Sequence, residues 1–116
     1  MKVISLSNVS KMEVTMEGAS RAWKQVPISG RDGAPVYALR VFTIEPGGYT
    51  PYHSHDFEHS NYVIEGEGSL VDEQGKETPL KAGDFALVLP GEKHRYRNVS
   101  PDKIFGMICG VPKAYE

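Results

Sequence analysis

The chain has 116 residues, of which 40% are hydrophobic and 24% charged, and its formal net charge is −2. This length and composition predict one globular domain spanning residues 1–116 and exclude a disordered chain. The small net charge argues against nucleic acid as a partner, and the short apolar run at the amino terminus argues against a signal peptide or a membrane span. With a single cysteine no internal disulfide can form, and we expect a cytoplasmic protein.

Glycine and proline divide the chain into short apolar stretches. The first 35 residues are irregular, and we interpret them as outer strands or as a segment that contacts a second subunit. Strands are then predicted over residues 36–44, 61–64, 69–71, 85–89, 94–99 and 104–109, with residues 45–48 ending the first of them. Residues 72–76 are expected to form a polar hairpin tip. Short strands at intervals of about ten residues indicate an all-β sandwich or barrel, with residues 36–116 as its core.

All four histidines of the chain lie in two short segments. His53 and His55 are two positions apart, so on a strand both would project into the same space. A turn or bulge after them could aim His59 at the same point, and His94 would arrive from a distant strand. Neutral imidazole is the commonest side-chain ligand for transition metals, and the four histidines therefore predict a metal site.

Two further side chains are candidate catalytic residues. Strand alternation places Tyr96 on the same face as His94, where its hydroxyl could line a pocket, although a core tyrosine fits equally well. Arg40 is a charge inside an apolar strand. If it pointed inward it could hold a carboxylate substrate, whereas a half-exposed strand favours the surface. Cys109, between Ile108 and Gly110, is interpreted as a small buried hydrophobic residue.

Two segments resemble the two sequence motifs of the cupin family, whose members are small jelly-roll β-barrels. The first motif is a glycine, five residues, His-x-His, three or four residues, a glutamate, six residues and a glycine. The residues that fit it are Gly47, His53, His55 and Gly66, with His59 at the glutamate position. The residues that fit the second motif are Gly83, Gly91, His94 and Asn98, with Pro90 displaced by one place. The resemblance implies an all-β jelly-roll barrel.

With histidine at the third ligand position, the chain is similar to small four-histidine cupins with oxidative chemistry. The resemblance implies that His53, His55, His59 and His94 bind the metal, with Glu58 as an alternative to His59 through a bulged strand. It favours manganese or iron, while zinc, nickel and copper are also chemically admissible. It also implies a homodimer that forms through the outer strands.

Our leading hypothesis from these residues is a metal-dependent oxidoreductase of the dioxygenase type. Four imidazoles would leave open positions on an octahedral ion, where O2 or a small anionic or chelating substrate can bind. Two alternatives stay open, because cupins carry many activities on one scaffold. One is a sensor or carrier that binds a small ligand without turnover, and the other is a metal-dependent isomerase.

Overall fold

The computed structural model describes residues 1–115, which form antiparallel strands with three short 3-10 turns. The strands are β1 (Met12–Glu13), β2 (Ser20–Ile28), β3 (Tyr37–Tyr49), β4 (His59–Glu65), β5 (Glu67–Val71), β6 (Glu77–Lys81), β7 (Phe85–Val88), β8 (Arg95–Asn98) and β9 (Phe105–Pro112). The turns are Leu6–Asn8, Gly30–Asp32 and Lys113–Tyr115. No helix within residues 1–115 is long and apolar enough to cross a membrane.

The strands belong to one curled sheet with the order β6-β5-β8-β3-β9-β4-β7, and β2 and β1 extend it from β3. Every pair of neighbouring strands is antiparallel. This is the jelly-roll barrel that the sequence predicted, and the fold class is confirmed.

The barrel interior is built from alternate residues of β3, β9 and β4. Ile44, Phe105 and Val63 are almost fully buried in a cluster that also contains Met107 and Tyr96. A second cluster contains Ala38, Cys109 and Val111. The register aligns Arg40 with Cys109 and Cys109 with Asn61, so three neighbouring strands place polar side chains in one row of the interior.

The expected end of the first strand at residues 45–48 was wrong, because β3 continues to Tyr49. Tyr49 pairs with Ser20 of β2 and with Arg97 of β8, so its backbone has partners on both sides. Gly48 lets β3 pack closely against β2, since a Cβ at this position would lie 2.8 Å from the carbonyl oxygens of Ser20 and Arg21.

Strand β6 was not predicted from the sequence. It is polar and contains Pro79, and Leu80 is its one buried residue. It lies at one edge of the sheet, where it pairs with β5. Such an edge strand needs no apolar alternation, so its sequence gives little signal.

Candidate metal site

Three of the four histidines converge in the structure. His53, His55 and His94 each offer one ring nitrogen, and these three atoms lie within 4.8 Å of one another. The backbones of His53 and His94 form an isolated bridge, with N–H···O distances of 3.1 and 3.0 Å, which joins the two histidine segments. Nitrogen ligands about 2 Å from a common ion lie within roughly 4 Å of each other, so the group is close to the size that a metal requires.

Backbone hydrogen bonds assign the protonated nitrogen of two of these rings. Nδ1 of His55 donates to the carbonyl of Phe57 at 2.8 Å, and Nδ1 of His94 donates to the carbonyl of Glu92 at 2.9 Å. In each ring the lone pair is therefore on Nε2. Nε2 of His55 is buried and has no hydrogen-bond partner within the described chain. An oriented ring with an unused acceptor is the usual form of a metal-binding histidine, and this donor set fits a transition-metal ion.

The surroundings favour the neutral form of His53 and His94. Burial lowers the pKa of His53, and repulsion from His94 and His55 lowers it further. Burial also lowers the pKa of His94, although its hydrogen bond to Glu92 acts in the opposite direction. Neutral imidazole is the form that binds metal, so neither ring has to lose a proton first at neutral pH.

His59 lies beside this group. It is the first residue of β4, is buried, and stacks on the ring of His55 with 4.1 Å between centroids. Its Nε2 lies 3.4 Å from Nη2 of Arg40, so this nitrogen faces the guanidinium and is not among the converging ring nitrogens. Burial, with help from the charges of His55 and Arg40, lowers the pKa of His59 to about 3. The four-histidine site is thus only partly assembled, and His59 as fourth ligand stays a proposal.

The alternative ligand Glu58 is not part of the group. Its side chain is exposed, whereas the next residue, His59, is buried. Successive residues entering a strand point to opposite faces, and this alternation directs Glu58 away from the interior.

Arg40 is buried, although half-exposure of its strand favoured the surface. Only 8% of the residue is exposed, and it lines the same cavity as the histidines. Nη2 lies 3.1 Å from the Cys109 sulfur, and Nη1 is 3.5 Å from the carbonyl of Tyr115. The guanidinium carbon is 5.0 Å from the centre of the Phe42 ring. Nε is buried without a hydrogen-bond partner among the described residues.

Tyr96 points inward, as strand alternation predicted. Its hydroxyl donates to Oδ1 of Asn61 at 2.9 Å, and Nδ2 of Asn61 lies 3.8 Å from the sulfur of Met107. Burial raises the pKa of Tyr96 well above its ordinary value. The phenol therefore stays protonated and acts as a hydrogen-bond donor. Sequence analysis did not single out Asn61, because an isolated asparagine in an apolar strand carries no motif.

The histidines open onto a cavity of about 520 Å³, large enough for a small organic ligand. Its apolar lining residues include Val14, Met16, Phe42, Phe57, Met107 and Tyr115. Phe57 stacks between Tyr115 and His55, with centroid distances of 3.9 and 4.1 Å. Neither Phe57 nor Tyr115 was predicted to belong to the site, since single aromatic residues in turns have no recognisable pattern.

Known proteins resemble this chain in sequence and in structure. Residues 40–109 match the family profile of the cupin domain. The structure of the polyketide cyclase RemF from Streptomyces resistomycificus superposes with a TM-score of 0.90 and 30% identity, covering 97% of this chain and 79% of RemF. An L-ectoine synthase from Mycolicibacterium gilvum is 28% identical over 78% of this chain and 68% of its own.

A further relative matches a shorter stretch. An oxalate-binding protein from Thermotoga maritima is 38% identical over 47% of this chain and 46% of its own. The family profile alone spans more than half of the chain, and the likeness to RemF extends over nearly all of it. The protein belongs to the cupin family.

Proposed function

We propose that the protein is a metal-dependent enzyme that closes a ring in a substrate with several carbonyl groups, as in a polyketide. The observation that carries the proposal is the convergence of ring nitrogens from His53, His55 and His94 at the wall of a largely apolar cavity. The choice of reaction rests on the likeness to the polyketide cyclase RemF over 97% of this chain.

In this proposal His53, His55 and His94 hold a divalent transition-metal ion, and His59 turns from Arg40 to supply the fourth nitrogen. Manganese and iron are our first choices, and zinc, nickel and copper suit the same ligands. An ion held by these residues would supply Lewis-acid chemistry toward a carbonyl oxygen of the substrate.

The protein side chains supply orientation and exclude water. Apolar walls such as Phe42 and Met107 surround the carbon chain of the substrate and keep water from a reactive enolate. The hydroxyl of Tyr96, whose proton is bound to Asn61, presents its oxygen as a hydrogen-bond acceptor at a fixed position in the lining.

A second candidate is the dioxygenase-type oxidoreductase that the sequence suggested. It is favoured by the all-imidazole donor set, which leaves the positive charge of the ion uncompensated and attracts anionic, chelating substrates. A sensor or carrier needs the same cavity but no turnover.

Elemental analysis of protein purified without added metal is the first test, and we expect about one transition-metal ion per chain. The loaded protein is then incubated with aromatic and aliphatic polyketones, with and without oxygen. Loss of the mass of one water, independent of oxygen, supports ring closure. Uptake of oxygen supports the oxygenase, and ligand binding without any product supports the sensor or carrier. Protein that binds no metal contradicts both enzymatic functions.

A further inference from the structure

We infer that the substrate of this site carries a carboxylate group that binds to Arg40. The inference rests on the proposed function, because it names the substrate class for the same cavity. Besides the histidines, Arg40 is the residue of that cavity whose chemistry most clearly calls for a particular ligand group. Its side chain is more than nine-tenths buried and still has an unsatisfied donor at Nε.

Among residues 1–115, the partners of the guanidinium are uncharged or weak acceptors. Nη2 contacts the Cys109 sulfur and Nε2 of His59, and Nη1 reaches the Tyr115 carbonyl only at 3.5 Å. A thiol is a poor acceptor, and an imidazole ring carries no negative charge. Within residues 1–115 no carboxylate forms an ion pair with Arg40.

A buried positive charge without a negative partner is unfavourable, because the protein interior solvates it poorly. The ring of Phe42 at 5.0 Å offsets only part of this cost. A carboxylate would offset much more, since its two oxygens match the planar fork of an arginine and carry the opposite charge. The cavity gives such a ligand access to Arg40.

The position of Arg40 also restricts where the carboxylate lies. Arg40 contacts His59, and His59 stacks on His55, so the guanidinium is on the His59 side of the histidine group. A substrate acid bound there would direct the rest of the molecule along the apolar lining. Arg40 thus selects acids and fixes which end of the substrate faces the metal ligands.

A purely structural role for Arg40 makes a different prediction. If the guanidinium served only to hold the His59 ring, the cavity would not distinguish an acid from a neutral ligand of the same shape. Comparison of an acid with its amide therefore separates the two roles, and metal-free protein keeps chelation out of the measurement.

The test is calorimetric titration of metal-free wild-type protein with 2-naphthoate and with 2-naphthamide. We expect the acid to bind at least ~10-fold more tightly, the effect of one additional charged contact. The variant Arg40→Gln should lose this preference while its affinity for the amide stays within about twofold. Arg97→Gln is the matched control: it removes the same charge from an exposed residue paired with Glu77, outside the cavity lining, and should keep the preference.

Equal affinity for acid and amide in the wild type, retention of the preference in Arg40→Gln, or failure of the acid to bind would each overturn the inference. If Arg40→Gln does not fold, the Arg40 Nε–H resonance of nitrogen-15-labelled wild-type protein decides. It should shift with 2-naphthoate and not with 2-naphthamide, and an unmoved resonance would overturn the inference. These titrations involve neither metal nor turnover, so their outcome is independent of whether the ring-closing activity is found.

Discussion

His55 shows how a single side chain is held ready to bind metal. Its Nδ1–H is bound to the carbonyl two residues later, and its ring is packed between those of Phe57 and His59. These contacts fix both the tautomer and the ring plane, so little conformational freedom remains to be lost on metal binding. Nε2 of His55 has no hydrogen-bond partner among residues 1–115, so its lone pair is available to a metal ion.

Substitution of His55 by glutamine should weaken metal binding by at least ~10-fold, because the ion loses one of its oriented nitrogens. Competition with a chromophoric chelator measures the affinity. Glu58→Gln is the control: Glu58 is close in sequence but exposed, so this variant should bind metal like the wild type. Unchanged affinity in His55→Gln, or a loss in Glu58→Gln, would show that the ligand set is different.

His59 makes the stability of the metal-free protein depend on pH. Its pKa is about 3 in the folded state and near the ordinary value of 6.5 in the unfolded chain. The unfolded state therefore binds more protons between these values, and the stabilisation is complete above pH 6.5 and is lost as the pH falls towards 3. Between pH 7.5 and 5 we expect His59 to contribute a loss of about 2 kcal/mol in the free energy of unfolding, and the lowered pKa values of His53 and His94 act in the same direction.

Urea unfolding of metal-free protein at a series of pH values measures this loss. The window above pH 5 avoids the titration of Asp32, Glu77 and Asp84, whose pKa values are lowered by their cationic partners and by hydrogen bonds. The variant His59→Asn should show a shallower pH dependence. An identical dependence in the variant would mean that other groups carry it.

Among the secondary-structure elements, the turn between β4 and β5 depends on Gly66. This residue has a φ of +77°, and a Cβ there would overlap the carbonyl oxygen of Ile104 and lie 3.2 Å from Cα of Phe105. The glycine thus lets β9 approach the turn closely, which keeps β9 in register with the strand that begins at His59.

Gly66→Ala should destabilise the protein by at least ~3 kcal/mol, because strain in the left-handed region adds to a clash with backbone atoms. Gly75 offers a matched control, since it has a φ of +81° but no atom of the described chain within 4 Å of the place that an alanine methyl group would occupy. Gly75→Ala should cost only about 1–2 kcal/mol. Chemical denaturation compares the two variants, and equal losses would argue against the close approach of β9.

At the scale of the whole molecule, exposed apolar side chains on the outer face of the sheet indicate how two copies of the chain associate. Phe85 and Leu87 of the terminal strand β7 are 78% and 57% exposed, and Tyr37 of β3 is 69% exposed. Tyr62 packs beside Phe85 with 4.5 Å between ring centroids. Apolar side chains collected on one face are typical of protein–protein contacts, and we expect a second copy of the chain to cover them.

Light scattering should therefore give the mass of a homodimer, and Phe85→Glu should shift it to the monomer at micromolar concentration, because the charge would be buried without a partner. Val99→Glu replaces an exposed apolar residue in the loop after β8 and should leave the dimer intact. A monomeric wild type would refute the prediction.

The sequence predicted the barrel, and it predicted that His53 and His55 share a face, because both depend on short-range patterns: strands with Gly/Pro turns, and a spacing of two. His94 comes from a distant segment, and its place beside them was implied by the resemblance to the cupin motifs. It did not predict the burial of Arg40, since the neighbours Cys109 and His59 come from other strands and depend on register. For the same reason the partner of Tyr96 was missed, and His59 was expected to join the other rings without competition from a guanidinium.

The backbone bridge between His53 and His94 joins points 41 positions apart in the chain (94 − 53). An ion held by both imidazoles would bind the folded chain, where the two rings are close, and not the unfolded chain, so it would stabilise the fold by about 4 kcal/mol when free metal is ~1,000 times its Kd. Stripping the ion with a chelator should accordingly lower the melting temperature by at least ~10 °C in calorimetry, and replenishment should restore it. The same two side chains would then serve both reactivity and durability.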